Sequence, residues 1–506
     1  MKKNILANFI SSIWQGLMSL AFVPMYVKLI GVESYGLIGI FATLQGMFVL
    51  FDLGLSATVN REMARLSVLP GREQEMRNLV RSLEIIYWFL AFFIGISIIA
   101  ISPFISYQWL HAENLSLQTI EQALILMGFV MAIQMPASFY SAGLIGLEKQ
   151  VLLSKINIGV STLRGLGAIL ILWLISPTIE AFFLWQIIIG IINTCLLGLF
   201  LWNRLPHTQK RSLFQKRLLL GIFHFTAGMS GIAILSAILT QLDKIILSKI
   251  LTLEMFGYYT LSGVVAMSLY RIIVPVYSAI YPRFTKLVSL ADHDGLKQLY
   301  HKSCQFMSVL ILPVTVVVAT YSYEIMLIWT QNPVTAEKTH LLVSILVCGT
   351  ALNGMMNIPG ALQYANGWTK LAFYTNLISI ICLVPLMVYL ARLYGALGGA
   401  ILWLILNSGY VLVSIHFMHR RLLPNEKWRW YWQDVFSPLM ASVIVAGLGR
   451  LLIVGQISQI KTIIYLIIIS ISTLSVTAIA TPTTRNWLFK NLLKFKSYGV
   501  VSNTSK

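Results

Sequence analysis

Charged residues are scarce in this chain of 506 residues and make up only 11% of it. Soluble domains have about 25% charged residues, so the composition excludes an ordinary soluble fold. Hydrophobic residues account for 57% of the chain, and apolar runs such as 13–29 and 462–480 are long enough to cross a membrane. In lipid each run must be helical, because only then are its own backbone polar groups satisfied.

Sequence motifs of catalysis are also missing. The chain has no phosphate-binding sequence ending in Gly-Lys-Ser/Thr, no nucleophile elbow around a serine and no His/Cys group with metal-ligand spacing. The cysteines lie in apolar stretches at unrelated spacings, so we expect small buried side chains rather than disulfides or metal ligands. They are Cys195, Cys304, Cys348 and Cys382. These absences predict a protein that is not an enzyme and that has no cofactor or metal.

The hydropathy pattern predicts an all-α polytopic membrane protein with about 14 transmembrane helices. The predicted spans are 8–30, 36–58, 82–105, 117–147, 150–175, 180–203, 218–242, 254–281, 303–328, 339–365, 370–391, 397–418, 433–453 and 462–480.

Lysine and arginine are distributed unevenly over the connecting segments. When these segments are assigned to alternate sides of the membrane, 28 of the basic residues fall on one side and 7 on the other. Loops rich in Lys and Arg stay in the cytoplasm, so we predict that both termini are cytoplasmic. The same asymmetry explains the net charge of +19 without a nucleic-acid partner.

One stretch of sequence recurs in the second half of the chain. Residues 28–36 (Lys-Leu-Ile-Gly-Val-Glu-Ser-Tyr-Gly) match residues 249–257 (Lys-Ile-Leu-Thr-Leu-Glu-Met-Phe-Gly) at an offset of 221 residues. Each copy joins the first two spans of a six-span unit, which predicts parallel repeats related by an axis along the membrane normal. Chance similarity between apolar segments is the alternative.

This repeat predicts an organisation in three parts. An N-lobe of spans 1–6 covers 1–205, a C-lobe of spans 7–12 covers 206–420, and 421–506 contain two appended spans and a cytoplasmic tail. We expect two pseudo-symmetric lobes that face each other across a central cavity. Such symmetry suits alternating access around a shared site near the membrane midplane.

Two arginines lie near the middle of predicted spans, Arg164 in the fifth and Arg271 in the eighth. A guanidinium stays protonated and is costly at the centre of a bilayer, so each must face a polar interior. Because they belong to different predicted lobes, both could line one cavity and bind a phosphate or pyrophosphate group through their forked donors. The alternatives are an ion pair with an intramembrane acid and hydrogen bonds to helix carbonyls.

Other polar residues near span ends are weaker candidates. Three lysines could form a cationic collar for an anionic substrate, or could snorkel to the outer surface: Lys28, Lys244 and Lys249. The candidates for coupling or gating are Asp52, Arg61, Glu121, Asp243 and His224. Asp52 could bind a cation, cap a neighbouring helix end or pair with Arg61. His224 could relay protons or simply pack.

Several segments resemble the polysaccharide flippases of the multidrug/oligosaccharidyl-lipid/polysaccharide exporter superfamily. In the first half they are 22–26 (Phe-Val-Pro-Met-Tyr), 28–36 and 51–65, which begins Phe-Asp-Leu-Gly and contains Asn-Arg-Glu-Met-Ala-Arg. In the second half they are 242–249 leading into 254–259 (Glu-Met-Phe-Gly-Tyr-Tyr), and 395–400 (Gly-Ala-Leu-Gly-Gly-Ala).

The resemblance implies a flippase that carries undecaprenyl-pyrophosphate-linked oligosaccharide, such as an O-antigen or capsule repeat unit, across the bacterial inner membrane. It implies two lobes around a cationic cavity, which agrees with the two arginines. It also implies a lipid-linked oligosaccharide and the bilayer as partners, with a polysaccharide polymerase and a chain-length regulator as further candidates. Some relatives use a Na⁺ or H⁺ gradient.

Two other functions remain open at this point. A multidrug or other small-molecule exporter of the same superfamily is the nearer one, although a cation exporter favours buried acids over buried arginines. A membrane glycosyltransferase or O-antigen polymerase is the other. Such enzymes usually need a sizeable outward loop with catalytic residues, which the sequence does not contain.

Overall fold

The computed structural model describes residues 2–52, 54–452 and 458–486. Within these ranges it leaves out the side chains of 217–233 and of Lys2, Ile5, Val49 and Phe51. The described chain contains no β-strand beyond one isolated bridge between His111 and Thr252, and twelve of its helices are long and apolar enough to cross a membrane. The predicted all-α polytopic membrane fold is confirmed.

The helices follow one another with short connections. The first nine are α1 Lys2–Gly46, α2 Phe48–Asp52, α3 Leu55–Leu66, α4 Glu73–Phe104, α5 Leu117–Gly146, α6 Gln150–Leu174, α7 Ile179–Arg204, α8 Lys216–Ile250 and α9 Leu253–Met267. The others are α10 Tyr270–Ser289, α11 His293–Thr320, α12 Ser322–Thr330, α13 Pro333–Ala365, α14 Lys370–Tyr394, α15 Ala396–Gly409, α16 Ile415–Leu422, α17 Lys427–Arg429, α18 Ser437–Leu452 and α19 Gln459–Ala480. Three π-helical segments adjoin them at Ile105–Trp109, Tyr410–Ser414 and Trp430–Phe436.

Helix α1 is longer than a membrane is thick. Its 45 residues include a non-helical position at Gly31, with φ 81° and ψ 162°, which glycine adopts at little steric cost. A straight helix of this length would measure about 68 Å, against about 30 Å for the apolar core of a bilayer. The bend at Gly31 therefore separates the first predicted span from the start of the second, and α8 coincides with the seventh predicted span, 218–242. The described residues give twelve candidate spans, against about 14 predicted from the sequence.

The second predicted span, 36–58, is wrong in one respect, because the structure does not continue it as a single helix. Helix α1 ends at Gly46, and α3 starts after Gly54, which has a left-handed backbone with φ 77°. The Asp52 side chain accepts a hydrogen bond from the Ser56 backbone N–H at 3.2 Å, in the first turn of α3. A glycine and a short acidic side chain thus start a new helix inside an apolar run.

The chain forms two compact units. The first comprises Met1–Leu261 and Asn376–Gly399, and the second comprises Ser262–Thr375 and Ala400–Lys506. Large side chains that are fully buried in the first unit are Leu37, Leu55, Met63, Tyr87 and Phe139. A core cluster of the second unit consists of Val316, Val317, Tyr321, Ala446 and Ile469.

The repeated sequence marks a close crossing of α1 and α9 within the first unit. A Cβ atom on Gly36 would lie 2.4 Å from the Leu253 carbonyl oxygen, and one on Gly257 would lie 2.4 Å from the Val32 carbonyl oxygen. Gly36 corresponds to Gly257 and Val32 to Leu253 at the same offset of 221 residues. The glycine of each copy thus contacts the same position of the other copy, which favours a true repeat over chance similarity.

Two of the four cysteines do not lie in the protein core. Cys304 is buried and Cys348 is half-buried, but Cys195 and Cys382 are exposed, and all four thiols are free. The expectation of buried side chains is wrong for the exposed pair. Their side chains lie on the surface of apolar helices, where in a spanning helix lipid is as suitable an environment for a small apolar side chain as the protein interior.

Candidate functional site

Arg164 lies near the middle of α6 in the first unit and is half-buried. Its Nε atom is buried and has no hydrogen-bond partner in the part of the chain that the structure describes. No ion pair there involves Arg164 either. The alternative of an ion pair with an intramembrane acid therefore finds no support at this residue.

Tight packing between α1 and α6 fixes the position of Arg164. A Cβ atom on the next residue, Gly165, would lie 2.1 Å from the ring of Phe22, so the two helices touch backbone to ring. The hydroxyl of Tyr26 donates to the Gly165 carbonyl oxygen at 3.3 Å, which places this tyrosine at the residue next to Arg164. The immediate surroundings are thus aromatic and weakly polar, with unused donor capacity on the guanidinium.

Arg271 follows a break in a helical span of the second unit. Helix α9 ends at Met267 and α10 begins at Tyr270, and the Arg271 N–H donates to the Ser268 carbonyl oxygen at 3.0 Å instead of four residues back. The prediction of one continuous span over 254–281 is therefore wrong at its centre. Irregular backbone at membrane depth is tolerated where it is buried in protein or lines a water-filled cavity, and the Arg271 side chain is exposed.

A chain of hydrogen-bonded polar side chains, half-buried at Tyr270 and Asn353, starts next to Arg271. The Tyr270 hydroxyl donates to Asn353 Oδ1 at 2.7 Å, and Asn353 Nδ2 donates to Asn407 Oδ1 at 2.7 Å. Asn407 is fully buried and donates to the Trp403 carbonyl oxygen at 2.8 Å. The sequence analysis missed these residues because it searched for charge; asparagines inside apolar runs were the signal that could have found them.

The three collar lysines have different surroundings in the first unit. Lys28 is exposed on α1. Lys244 Nζ donates to the Thr240 carbonyl oxygen at 3.0 Å and lies 3.9 Å from Asp243 Oδ1. Lys249 donates to the Gln108 carbonyl oxygen and lies over the ring of Trp109 at 5.4 Å, so it fastens the segment that follows α4.

The glutamate of the first copy of the repeated sequence, Glu33, also binds the connection between α4 and α5. Glu33 is 7% exposed, and its carboxylate accepts hydrogen bonds from the backbone N–H groups of Glu113 at 2.6 Å and Asn114 at 3.0 Å. Lys249 and Glu33 belong to different copies of the repeat. The repeated Lys and Glu thus hold one connection in place, which gives them a structural role that the sequence analysis did not foresee.

Two candidate acids are hydrogen-bonded to tyrosines. Asp52 Oδ1 accepts from the Tyr87 hydroxyl at 2.5 Å and from the Ser56 hydroxyl at 2.6 Å. Asp243 Oδ2 accepts from the Tyr259 hydroxyl at 2.5 Å, while its other oxygen is buried without a hydrogen bond among the described residues. Both carboxylates therefore accept hydrogen bonds from residues on other helices of the first unit.

The remaining candidates are less informative. Arg61 is exposed on α3, and Glu121 is half-buried in the second turn of α5. The side chain of His224 lies outside the described residues. Of the predicted pyrophosphate pair, Arg164 belongs to the first unit and Arg271 to the second.

A second buried polar cluster was missed by the sequence analysis altogether. In the second unit His301 Nδ1 lies 2.5 Å from Asp434 Oδ2, and His301 Nε2 lies 3.1 Å from Glu426 Oε2. Gln305 Nε2 donates to Asp434 Oδ1 at 2.8 Å. Asp434 is the one acid within the predicted span 433–453, and that isolated position was the available signal.

Residues 1–288 match the family model described as polysaccharide biosynthesis protein. The chain belongs to this family. The resemblance to polysaccharide flippases that the sequence suggested is confirmed at the level of the family.

Two curated relatives of this polysaccharide biosynthesis protein come from Shigella flexneri and Erwinia amylovora. It is 24% identical over 377 residues to a protein of Shigella flexneri described as a putative O-antigen transporter, covering 74% of this chain and 87% of that one. It is 24% identical over 257 residues to amylovoran biosynthesis protein AmsL of Erwinia amylovora, covering 49% and 62%.

Solved structures share the fold of this family member. One is the lipid II flippase MurJ in an inward closed conformation, with a TM-score of 0.68, 14% identity and coverage of 97% of this chain and 100% of that chain. Another is an inward-facing multidrug resistance MATE family transporter of the MOP superfamily, with a TM-score of 0.64, 14% identity and coverage of 81% and 94%. The TM-scores establish a shared fold, whereas identities this low leave the substrate open.

Proposed function

We propose that this protein is a flippase that moves a lipid-linked oligosaccharide across the bacterial inner membrane. The proposed carrier is undecaprenyl pyrophosphate, and the proposed sugar is an O-antigen or capsule repeat unit. The family match over 1–288 and the Shigella relative described as a putative O-antigen transporter support this proposal. The uneven distribution of basic residues supports cytoplasmic termini.

The observation that carries the proposal is the pair of mid-span arginines without carboxylate partners among the described residues. A guanidinium at this depth is costly unless a ligand or water satisfies it. Arginine binds the oxygens of a phosphate in a forked geometry with charge-assisted hydrogen bonds. A pyrophosphate group would offset this cost, which a neutral or cationic substrate would not do.

The proposed mechanism is alternating access. The sugar–pyrophosphate head enters from the cytoplasm, Arg164 and Arg271 neutralise it, and the polyprenyl tail stays in lipid while the protein opens outward. A polymerase and a chain-length regulator would act on the product outside. A Na⁺ or H⁺ gradient is the proposed energy source, which is tested by imposing each gradient in turn on sealed vesicles that contain the protein.

The test replaces both arginines with glutamine. A lost hydrogen bond to a charged group costs about 1.5–3 kcal/mol, so we expect Arg164→Gln with Arg271→Gln to slow translocation at least about tenfold. The measurement is the amount of lipid-linked sugar left on the cytoplasmic face of cells that lack the wild-type gene. Arg392→Gln is the matched control, because Arg392 is exposed in the last turn of α14.

Wild-type translocation by the double variant, at an expression level equal to that of the control, would show that the two arginines do not bind the substrate. A small-molecule exporter is the second candidate, which the likeness to the MATE transporter fold favours. That function would be indicated if deletion left lipid-linked sugar normally distributed and increased sensitivity to cationic drugs.

A further inference from the structure

We propose a phosphate-binding pocket in the first unit, at the N-terminal end of α4, the helix that begins with Glu73. A cavity of about 380 Å³ opens there between α4, the end of α7 and the segment 205–215 that links α7 to α8. Four cationic side chains line it: Arg77, Arg81, Lys210 and Arg211. No acidic side chain is among its lining residues, so the cavity is strongly positive.

The linker is fastened to α4 and is not a loose basic loop. Gln74, Asn78 and Ser82 are spaced four residues apart and therefore lie on one face of α4. Together with Arg77 they bind the linker backbone: Gln74 Nε2 to Arg211 O at 3.1 Å, Arg77 NH1 to Pro206 O at 3.1 Å, Leu213 N to Asn78 Oδ1 at 2.9 Å and Gln215 N to Ser82 Oγ at 2.8 Å. This fixes the backbone positions from which Lys210 and Arg211 extend.

The two α4 arginines are also held in place. The Arg77 guanidinium lies over the ring of Trp202 at 5.4 Å, and its buried Nε has no hydrogen-bond partner among the described residues. Arg81 NH1 is 2.7 Å from Glu84 Oε2, a carboxylate that also accepts from the Trp202 indole N–H at 3.0 Å. The Glu84 carboxylate therefore pairs with Arg81 alone, and the described ion pairs leave Arg77, Lys210 and Arg211 without a counter-charge.

Phosphate fits this arrangement better than a carboxylate or a nucleic acid. Its oxygens can accept forked hydrogen bonds from two arginines at once, and the hydroxyl of Ser212 adds a neutral donor at the same cavity. The cavity lies at the N-terminal end of the spanning helix α4, on the predicted side that has 28 of the basic residues, where we expect lipid head groups. Basic pockets at this depth on the cytoplasmic side bind anionic head groups.

The phosphate could come from a membrane lipid or from a soluble molecule, and binding experiments separate the two. Purified protein is placed in nanodiscs of phosphatidylcholine alone or with added phosphatidylglycerol, and its thermal stability and retained lipid are measured. A ligand that binds the folded state raises its stability, so we expect phosphatidylglycerol to stabilise the wild type. The second arm adds inorganic pyrophosphate to the protein in phosphatidylcholine.

The informative variant is Lys210→Gln with Arg211→Gln. The described contacts of both residues with α4 or the linker use backbone atoms, so the substitutions should leave the fold intact. Loss of two charge-assisted contacts should weaken binding about tenfold or more. Lys149→Gln with Lys155→Gln is the matched control, because it removes two exposed cations on the same predicted side and away from the pocket.

A stabilising effect of phosphatidylglycerol that the pocket variant loses and the control keeps would establish a lipid phosphate site. The same pattern with pyrophosphate would establish a soluble phosphate ligand. If the pocket variant and the control respond alike in both arms, the proposal is wrong. Since binding and not translocation is measured, this outcome is independent of the function proposed above.

Discussion

At the scale of single residues, Asp434 shows how this protein accommodates a charge among apolar helices. It is fully buried, and its carboxylate binds His301 and Gln305. Gln305 in turn accepts a hydrogen bond from the Thr483 backbone N–H at 3.0 Å, so the cluster joins α11, the π-helical segment Trp430–Phe436 and the chain after α19. Both neighbours of the carboxylate lie on α11, and each is held by another stretch of sequence, His301 by Glu426 and Gln305 by Thr483.

We predict that Asp434→Ala strongly destabilises the protein. Removal of one partner from a buried charge cluster leaves the others desolvated and unpaired, at a cost of about 3–5 kcal/mol. The measurement is the midpoint of thermal unfolding in detergent. Asp294→Ala, in the exposed first turn of α11, is the control and should cost about 1 kcal/mol or less. Equal midpoints for the two variants would mean that the cluster does not stabilise the fold.

At the scale of helices, the crossing of α1 and α9 depends on two glycines. Each would place a Cβ atom within 2.4 Å of a backbone oxygen on the other helix, and a backbone atom cannot move aside as a side-chain end can. The next turn repeats the close approach, since a Cβ on Gly39 would lie 2.3 Å from the Thr260 hydroxyl oxygen. The two helices therefore separate if either glycine acquires a side chain.

We expect Gly36→Ala and Gly257→Ala to destabilise the first unit by similar amounts, about 1–3 kcal/mol each, because overpacking a tight contact forces backbone shifts. The double variant should cost less than the sum, since the first substitution already separates the helices. Gly159→Ala is the matched control: a Cβ at this helical position meets no atom within 4 Å, so alanine should be neutral or stabilising. Thermal unfolding of the four variants decides, and a loss confined to one glycine would refute the symmetric crossing.

The helices themselves were predictable from the sequence, whereas their interruptions were not. Hydropathy alone placed 117–147 and 150–175 almost where α5 and α6 lie, because a spanning helix must be continuously apolar. The break before Tyr270 could not be predicted from the sequence, because Ser268 and Leu269 also occur within continuous helices. Gly31 was visible as a residue, but a glycine within an apolar run does not reveal whether the helix bends there.

At the scale of the whole molecule, the sequence predicts where a candidate arginine stands along an apolar run but not what surrounds it. Counting along the run selected Arg164 and Arg271 as residues near the middle of predicted spans. Their neighbours come from distant sequence, such as Tyr26 beside Arg164 and Asn353 beside Tyr270. Neutral polar residues are too frequent in membrane helices to be selected without knowledge of packing.

The orientation of the whole chain gives the last prediction. Basic residues number 28 on one predicted side and 7 on the other, and because Lys and Arg resist translocation, the richer side should be cytoplasmic. A fluorescent protein fused after Ser212, in the linker between α7 and α8, should therefore fluoresce, and alkaline phosphatase fused after Gln331, between α12 and α13, should be active. Exchanging the two reporters is the control and should silence both. Phosphatase activity after Ser212 would reverse the orientation, and with it the side from which the proposed substrate enters.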